Sequence, residues 1–325
     1  MLDEEILAVL RKEQDSYVSG EDLCRMAGIS RAAIWKHMEK LREEGYEIEA
    51  SPHLGYRLKA IPDRLIPSEV RHSLKTRIFG RQILSYARID STNDAAYSLA
   101  EKGLKEGSVI LADEQVMGKG RHGRRWVSPP RCGIYMSCIL RPDMAPDEIP
   151  KITLLAAVAV ARAIRSVTGL DAMIKWPNDI LVNGKKVCGI LTEMKAEQDS
   201  VNFIILGIGI NASTPARSLP RGAASLRQEL SASGHRDDLS RIELTRRVLE
   251  ELDQYYGVLK RNGFRPIVEE WKALSAMMGA RIRVLLPNRT FDGLAHDIDP
   301  DGGLVVRLDY GVLHKVSSGD IVMVR

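Results

Sequence analysis

The run Met117-Gly118-Lys119-Gly120-Arg121-His122-Gly123-Arg124-Arg125-Trp126 mixes four cations and an imidazole with three glycines, then meets Ser128-Pro129-Pro130. Glycine lets a backbone approach an anion closely, and lysine and arginine supply charge where phosphates would sit. Composition alone leaves three readings open: phosphate binding, a solvated surface loop, or a nucleic-acid patch. Gly118–Gly123 has the literal G-x-G-x-x-G spacing, but a dinucleotide fingerprint needs a helix to open after the last glycine. The two prolines forbid one there. A P-loop fails too, because no G-x-x-x-x-G-K-[ST] run occurs.

Three other groups could do chemistry. Ser91-Thr92-Asn93 offers small polar side chains at a helix start, suited to a neutral polar ligand or simply to capping. Lys175-Trp176-Pro177-Asn178-Asp179 sets a lysine at the end of an apolar strand, before a turn; an incidental lysine beside a type I turn is the alternative. Gly189, Gly207 and Gly209 interrupt apolar strands, which weakens a strand and marks close approach of a ligand.

The elements that must position these groups can be read from periodicity. In the first sixty residues, Ile6, Leu7 and Leu10 predict one helix, Ser19 and Gly28 bracket a second, and Ser30 caps a third with Ile34, Met38 and Leu41 on one face. Two short helices about a glycine-containing turn form a helix-turn-helix, and YEIEASPHLGYRL would add a two-stranded wing. Residues 1–22 carry seven acids against two bases, whereas the third helix carries Arg31, Lys36, Lys40 and Arg42 against Glu39. Positive charge on the helix that would enter a major groove favours DNA binding over a purely structural winged helix.

IPDRLIPSEV reads as a linker. From there to about residue 270, strands alternate with helices, and Asn183-Gly184 is the strongest hairpin signal. The expected fold class is α+β, a largely antiparallel mixed sheet backed by helices. From Gly279 onward, short strands separated by turn residues predict a small β unit, closed like an SH3 barrel. The expected domains are therefore 1–62, 63–276 and 277–325.

Bulk properties agree with a multidomain soluble protein. The chain has 325 residues, 44% hydrophobic, with a net charge of +4 that by itself implies no polyanion partner. Four scattered cysteines without C-x-x-C pairs suggest reduced thiols rather than a disulfide framework. The acidic start is unlike a signal peptide, and the longest apolar run is too short for a bilayer. A cytoplasmic protein with no membrane association is expected.

In combination, STN, the GKGRHGRRW-SP loop, KWPNDI, GILTEM and GIGIN, in this order and spacing, resemble the bacterial biotin–protein ligases of the biotin repressor type. The flanking winged helix and terminal β unit fit the same three-domain pattern, so the resemblance covers the whole chain. It implies a reaction in which biotin and MgATP form biotinyl-5′-adenylate and pyrophosphate, followed by transfer of biotin to a lysine of the biotin carboxyl carrier protein of acetyl-CoA carboxylase. The magnesium would come with ATP, and no tightly bound protein metal is implied. No enzyme nucleophile is needed; the protein must align two anions and neutralise developing charge.

Carried over by resemblance, Ser91, Thr92, Asn93 and Gln115 would hold the ring end of biotin, with Gly189, Gly207 and Gly209 lining its slot. Lys119, Gly120, Arg121 and Arg124 would hold carboxylate and phosphates. Lys175 would stand between carboxylate and α-phosphate as the catalytic lysine, with Arg121 assisting. Trp126 would stack near the adenine or cover it, and Asn178 and Asp179 would position phosphate or Mg²⁺, or simply form a satisfied turn. The loop departs from the family's G-R-G-R-R-G at Lys119 and His122, and Lys119 keeps charge without the bidentate fork. For operator DNA, the contacting residues would be Ser30, Arg31, Ala32, Trp35, Lys36 and Lys40. The resemblance further implies that bound adenylate acts as corepressor, promoting a homodimer that binds a palindromic biotin operator. The alternatives are a lipoate–protein ligase, a ligand-sensing regulator without ligase activity, and a ligase that no longer represses.

Overall fold

Ile6, Leu7 and Leu10 bury one face of α1 (Leu2–Lys12), which packs with α2 (Gly20–Ala27) and α3 (Arg31–Glu43). The computed structural model describes residues 2–13, 16–197, 200–234 and 239–324, so Arg325, the last residue of the final expected strand, lies outside them. Ser19 accepts a hydrogen bond from Asp22 N at 3.0 Å, and Ser30 accepts one from Ala33 N at 3.3 Å, so both predicted caps form. Gly28 ends α2 at φ 64°, a left-handed conformation that suits glycine. β1 (Glu47–Ser51) and β2 (Gly55–Ala60) pair antiparallel as the wing. Together these elements make the first of two compact units, Met1–Arg64; the second is Leu65–Arg325.

The second unit starts with a departure from expectation. Within the stretch read as a linker, Pro67–Arg71 forms a short helix, α4, with Val70 buried. There follow β3 (Ile83–Tyr86), α5 (Thr92–Glu101), β4 (Val109–Ala112), β5 (Ile134–Leu140), α6 (Ile149–Thr168), β6 (Met173–Lys175), β7 (Asp179–Val182), β8 (Lys185–Glu197), β9 (Ser200–Ile210), α7 (Leu226–Ala232), α8 (Arg241–Asn262) and α9 (Arg265–Ala273). The strands form one sheet in the order β3-β4-β5-β9-β8-β7-β6, parallel only between β3 and β4. Asn183 and Gly184 both take positive φ, 49° and 75°, as a tight hairpin turn between β7 and β8 requires.

Strand alternation divides the sheet into two faces. Met136, Cys138, Leu206, Ile208 and Ile210 join the main core, together with buried residues of α6, α8 and α9. On the opposite face, Ala96 and Ala100 of α5 pack on Ile110, Ile139, Phe203 and Ile205. That second face is only partly covered, and the site lies on its uncovered part.

The terminal strands are β10 (Arg281–Leu286), β11 (Arg289–Ile298), β12 (Leu304–Arg307), β13 (Leu313–Val316) and β14 (Asp320–Met323). They are antiparallel in the order β13-β12-β11-β10-β14. Among the described residues β13 and β14 end the ladder without pairing to each other, so the expected closed barrel is seen as an open five-stranded ladder. Ile282, Val284, Leu304 and Val306 belong to the same core as the central sheet. Among the described residues no helix is long and apolar enough to cross a membrane.

Candidate active site

On the second face of the sheet, the period of two places Phe203, Ile205, Gly207 and Gly209 in a row along β9. Register sets Gly189 opposite Gly209, Leu191 opposite Gly207, and Ser137 of β5 on the other side of Gly207. Where side chains give way to glycines, a hollow opens. It is a cavity of about 300 Å³ lined by the Ser91–Asn93 turn, Gln115, residues 119–121 and 124–127, Asn178, Asp179, Lys186, the three glycines and Asp320. That volume suits a small ligand.

The glycines are there because nothing larger fits. A Cβ on Gly207 would lie 2.2 Å from Asn93 Oδ1, and one on Gly209 would lie 2.5 Å from Trp126 Nε1. One on Gly189 would lie 2.9 Å from the Trp126 ring. Trp126 Nε1 is buried and makes no hydrogen bond to the described residues, so a donor is left facing the slot.

The closed end is polar and buried. Ser91 caps α5, turning Thr92 and Asn93 inward, where all three are buried. Thr92 N and Oγ1 donate to Gln115 Oε1 at 2.8 and 3.0 Å, and Gln115 Nε2 donates to Ser128 Oγ at 2.9 Å. Asn93 Nδ2 donates to Glu193 Oε2 at 2.6 Å. Ser137 Oγ lies 2.8 Å from Thr92 Oγ1 and 2.6 Å from Asn93 Oδ1. One hydroxyl proton cannot serve both, so this network can rearrange for a ligand bearing donors and acceptors.

The open end is cationic. Lys119 pairs with Asp94, which raises its pKa, and Arg124 pairs with Asp320. Arg121 donates to Asn178 Oδ1 at 3.2 Å and lies 3.5 Å from Gly319 O. Burial lowers the Arg121 pKa, opposed by Asp320 and Asp179. Arg125 instead donates to Val116 O. Each loop cation thus rests on a protein acceptor that an anionic ligand could replace. Among the described residues no three His, Cys, Asp or Glu side chains gather as a metal ligand set.

Lys175 stands outside the cavity. It ends β6, the edge strand two places from β8, and is not among the cavity's lining residues. With strands about 4.8 Å apart, two places put it roughly 10 Å off β8. Lys186 stands in the cavity instead, 2.5 Å from Asp179 and 5.5 Å from the centre of the Trp126 ring. Strict alternation back from Gly189 would turn Lys186 to the core side. The register of β7 and β8 shifts at Ile180/Leu181, and Val187 and Cys188 are consecutively buried in the main core. One extra residue on β8 thereby re-aims Lys186 toward the site, a recurrent use of a bulge.

Ser137, Glu193, Asp94 and Asp320 also escaped the sequence reading. Glu193 sits in the GILTEM run and shares the parity of Gly189, a signal that was available. Asp320 is distant in sequence and had none.

In the first unit, Arg31, Ala32, Trp35, Lys36 and Lys40 form the exposed side of α3, with Ser30 at its start. Lys40 is not free: Asp3 of α1 holds it at 2.6 Å and His37 at 2.6 Å.

Three family models match the chain: an HTH domain over residues 3–57, the Biotin/lipoate A/B protein ligase family over 85–211, and the Biotin protein ligase C terminal domain over 278–324. Bifunctional ligase/repressor BirA of Bacillus spizizenii is 40% identical over 98% of both chains. The Biotin--[acetyl-CoA-carboxylase] ligase of Mycobacterium tuberculosis is 32% identical, over 81% of this chain and 98% of its own. Among solved structures, the biotin protein ligase from Aquifex aeolicus in complex with biotin and ATP superimposes with a TM-score of 0.63 at 25% identity, over 75% of this chain and 99% of that one. A similarity of this extent, running through all three matched segments, means that the chain belongs to the biotin–protein ligase family, alongside its bifunctional ligase/repressor members.

Proposed function

We propose that this protein is an ATP-dependent biotin–protein ligase that also represses transcription in response to its own adenylate intermediate. The observation that carries the reading is one cavity with a buried neutral polar end and a cationic glycine loop at its mouth. The ureido ring of biotin, with one carbonyl and two N–H groups, suits the Thr92, Asn93, Gln115 and Ser137 network. The floor at Gly189 and Gly209, which lies under the Trp126 ring, admits the flat bicycle once that ring moves aside to cover the adenylate, and the valeryl chain leads its carboxylate toward Lys186 and Arg121.

The carboxylate oxygen attacks the α-phosphorus of MgATP, forming the mixed anhydride as the bond to pyrophosphate breaks. Lys186 offsets charge building on the α-phosphate, and Lys119, Arg121 and Arg124 exchange Asp94, Asn178 and Asp320 for ligand anions. Trp126 covers the adenylate and excludes water. The amine of a carrier lysine then attacks the acyl carbon, and AMP leaves. Magnesium enters on ATP as part of that substrate.

Partner choice follows from the sheet. β7 pairs with β8 through Lys185–Gly189, and Asn178 bonds both the N–H and the C=O of Ile190, so Leu191–Glu197 presents an unpaired edge among the described residues. An open edge accepts another strand, here from either the carrier protein or a second copy. Competition for that edge would couple carrier supply to repression of biotin genes by the winged helix on operator DNA.

The test is mass spectrometry of a carrier domain incubated with protein, biotin and MgATP. Biotin on one lysine supports the reading; an unmodified carrier together with unconsumed ATP contradicts it.

A further inference from the structure

The groove-facing side of α3 has an unusual chemistry for a DNA reader. Arg31, Ala32, Trp35, Lys36 and Lys40 are exposed, while Ile34, Met38 and Leu41 are buried. Trp35 is 55% exposed in the second turn, one position from Lys36 and three from Ala32. Among the described residues of its own unit, Trp35 is the largest apolar side chain left in water.

The charges on this helix are unevenly available. Lys40 is held by Asp3, and Arg42 is paired with Glu39 at 2.5 Å while also donating to Ile48 O. Among the described residues Arg31 reaches only Glu21, at 3.7 Å between two well-exposed side chains. Exposed pairs of that kind are worth little and yield readily to phosphate. The positive field therefore centres on the first two turns, the part of a recognition helix that enters the major groove most deeply. That field is complementary to duplex DNA, and it flanks the exposed apolar pair.

The side has arginine and lysine, which suit guanine, but no asparagine or glutamine for the paired bonds that identify adenine. What remains is apolar: Ala32 and Trp35. The one apolar group that a base presents in the major groove is the 5-methyl of thymine. We propose that Trp35, backed by Ala32, reads a thymine methyl in each operator half-site and so sets sequence preference. This rests on the repressor reading above.

The experiment uses the full chain. Duplexes are selected from a random pool by the protein with biotin and MgATP, and each thymine of the selected site is then replaced by uracil, which lacks only the methyl. For the unmodified protein, affinity should fall about fourfold at one position per half-site, the value of one buried methyl. Trp35→Ala should lose that penalty while keeping the same salt dependence, because no charge has changed. Trp35→Phe should retain it.

An unaltered uracil penalty in Trp35→Ala, or no penalty at any thymine in the unmodified protein, overturns the assignment while leaving repression intact. Failure of the unmodified protein to enrich any duplex would overturn both the assignment and the repressor reading. Circular dichroism of the exposed-site variants checks that the helix is unchanged.

Discussion

At the scale of single residues, the site turns on which lysine faces the reacting atoms. Lys186 lies in the cavity beside Asp179, and Lys175 lies on the far edge of the sheet. Lys186→Ala is predicted to slow biotinyl-adenylate formation by about a hundred- to a thousandfold, the usual loss on removing a charge aimed at a developing oxyanion. Lys175→Ala should leave it within about threefold, since a residue off the site contributes only through small structural adjustments. Single-turnover adenylation measures both. Periodicity could not have chosen between them, because the choice depends on the β8 bulge, and a bulge has no local signature in KKVCG. The glycines were legible for the opposite reason: a glycine within an apolar strand has few explanations other than close approach. Gly207→Ala would drive a Cβ to 2.2 Å from Asn93 Oδ1 and displace that side chain from Ser137 and Glu193. Biotin KM should rise about tenfold or more, with kcat less affected, as expected when a buried hydrogen-bond network is broken on the binding side.

At the scale of elements, the glycine loop is tied to the terminal sheet. Arg124 and Asp320 tie it to β14, and Arg121 reaches Gly319 and Asn178. Burial raises the Asp320 pKa, but Arg124 first and then Arg121 outweigh it and hold the carboxyl below its ordinary value of 3.8. A lowered aspartate stabilises where it is ionised, so this tie is complete above that ordinary value and is lost as pH falls through the lower folded one. Amide exchange in residues 120–124, corrected for the intrinsic rate, should lose protection on going from about pH 5 to about pH 3. Asp320→Asn should mimic the loss at neutral pH and speed trypsin cleavage in the loop about two- to fivefold, the range of a partly exposed ion pair. Unchanged cleavage would mean that the pair does not restrain the loop. The sequence showed the loop and its charge, yet not this restraint, because the partner lies almost two hundred residues away. The Asn183-Gly184 hairpin was legible because its turn chemistry is local. β3 was not, since a four-residue edge strand carries too little pattern, and the terminal sheet's open ladder follows from pairing order, which strand spacing does not reveal.

At the scale of the whole molecule, the two proposed activities share one unpaired edge. Ile190 donates its N–H to Asn178 O on that side, and the period of two carries the Thr192 and Met194 N–H groups to the same edge. Met194→Pro removes one of those donors without removing a bond to β9. Sedimentation should show dimers for the unmodified protein only with biotin and MgATP, and monomers for Met194→Pro under the same conditions, with adenylation retained. Dimerisation that ignores ligand, or that survives this substitution, would contradict the shared-edge account. The central claim is tested most directly by pyrophosphate release from MgATP with the purified full chain, supplied with biotin, with lipoate, or with neither. The account predicts release with biotin alone, lowered by Lys186→Ala and not by Lys175→Ala. Release with lipoate but not biotin, or no release with either, would contradict it.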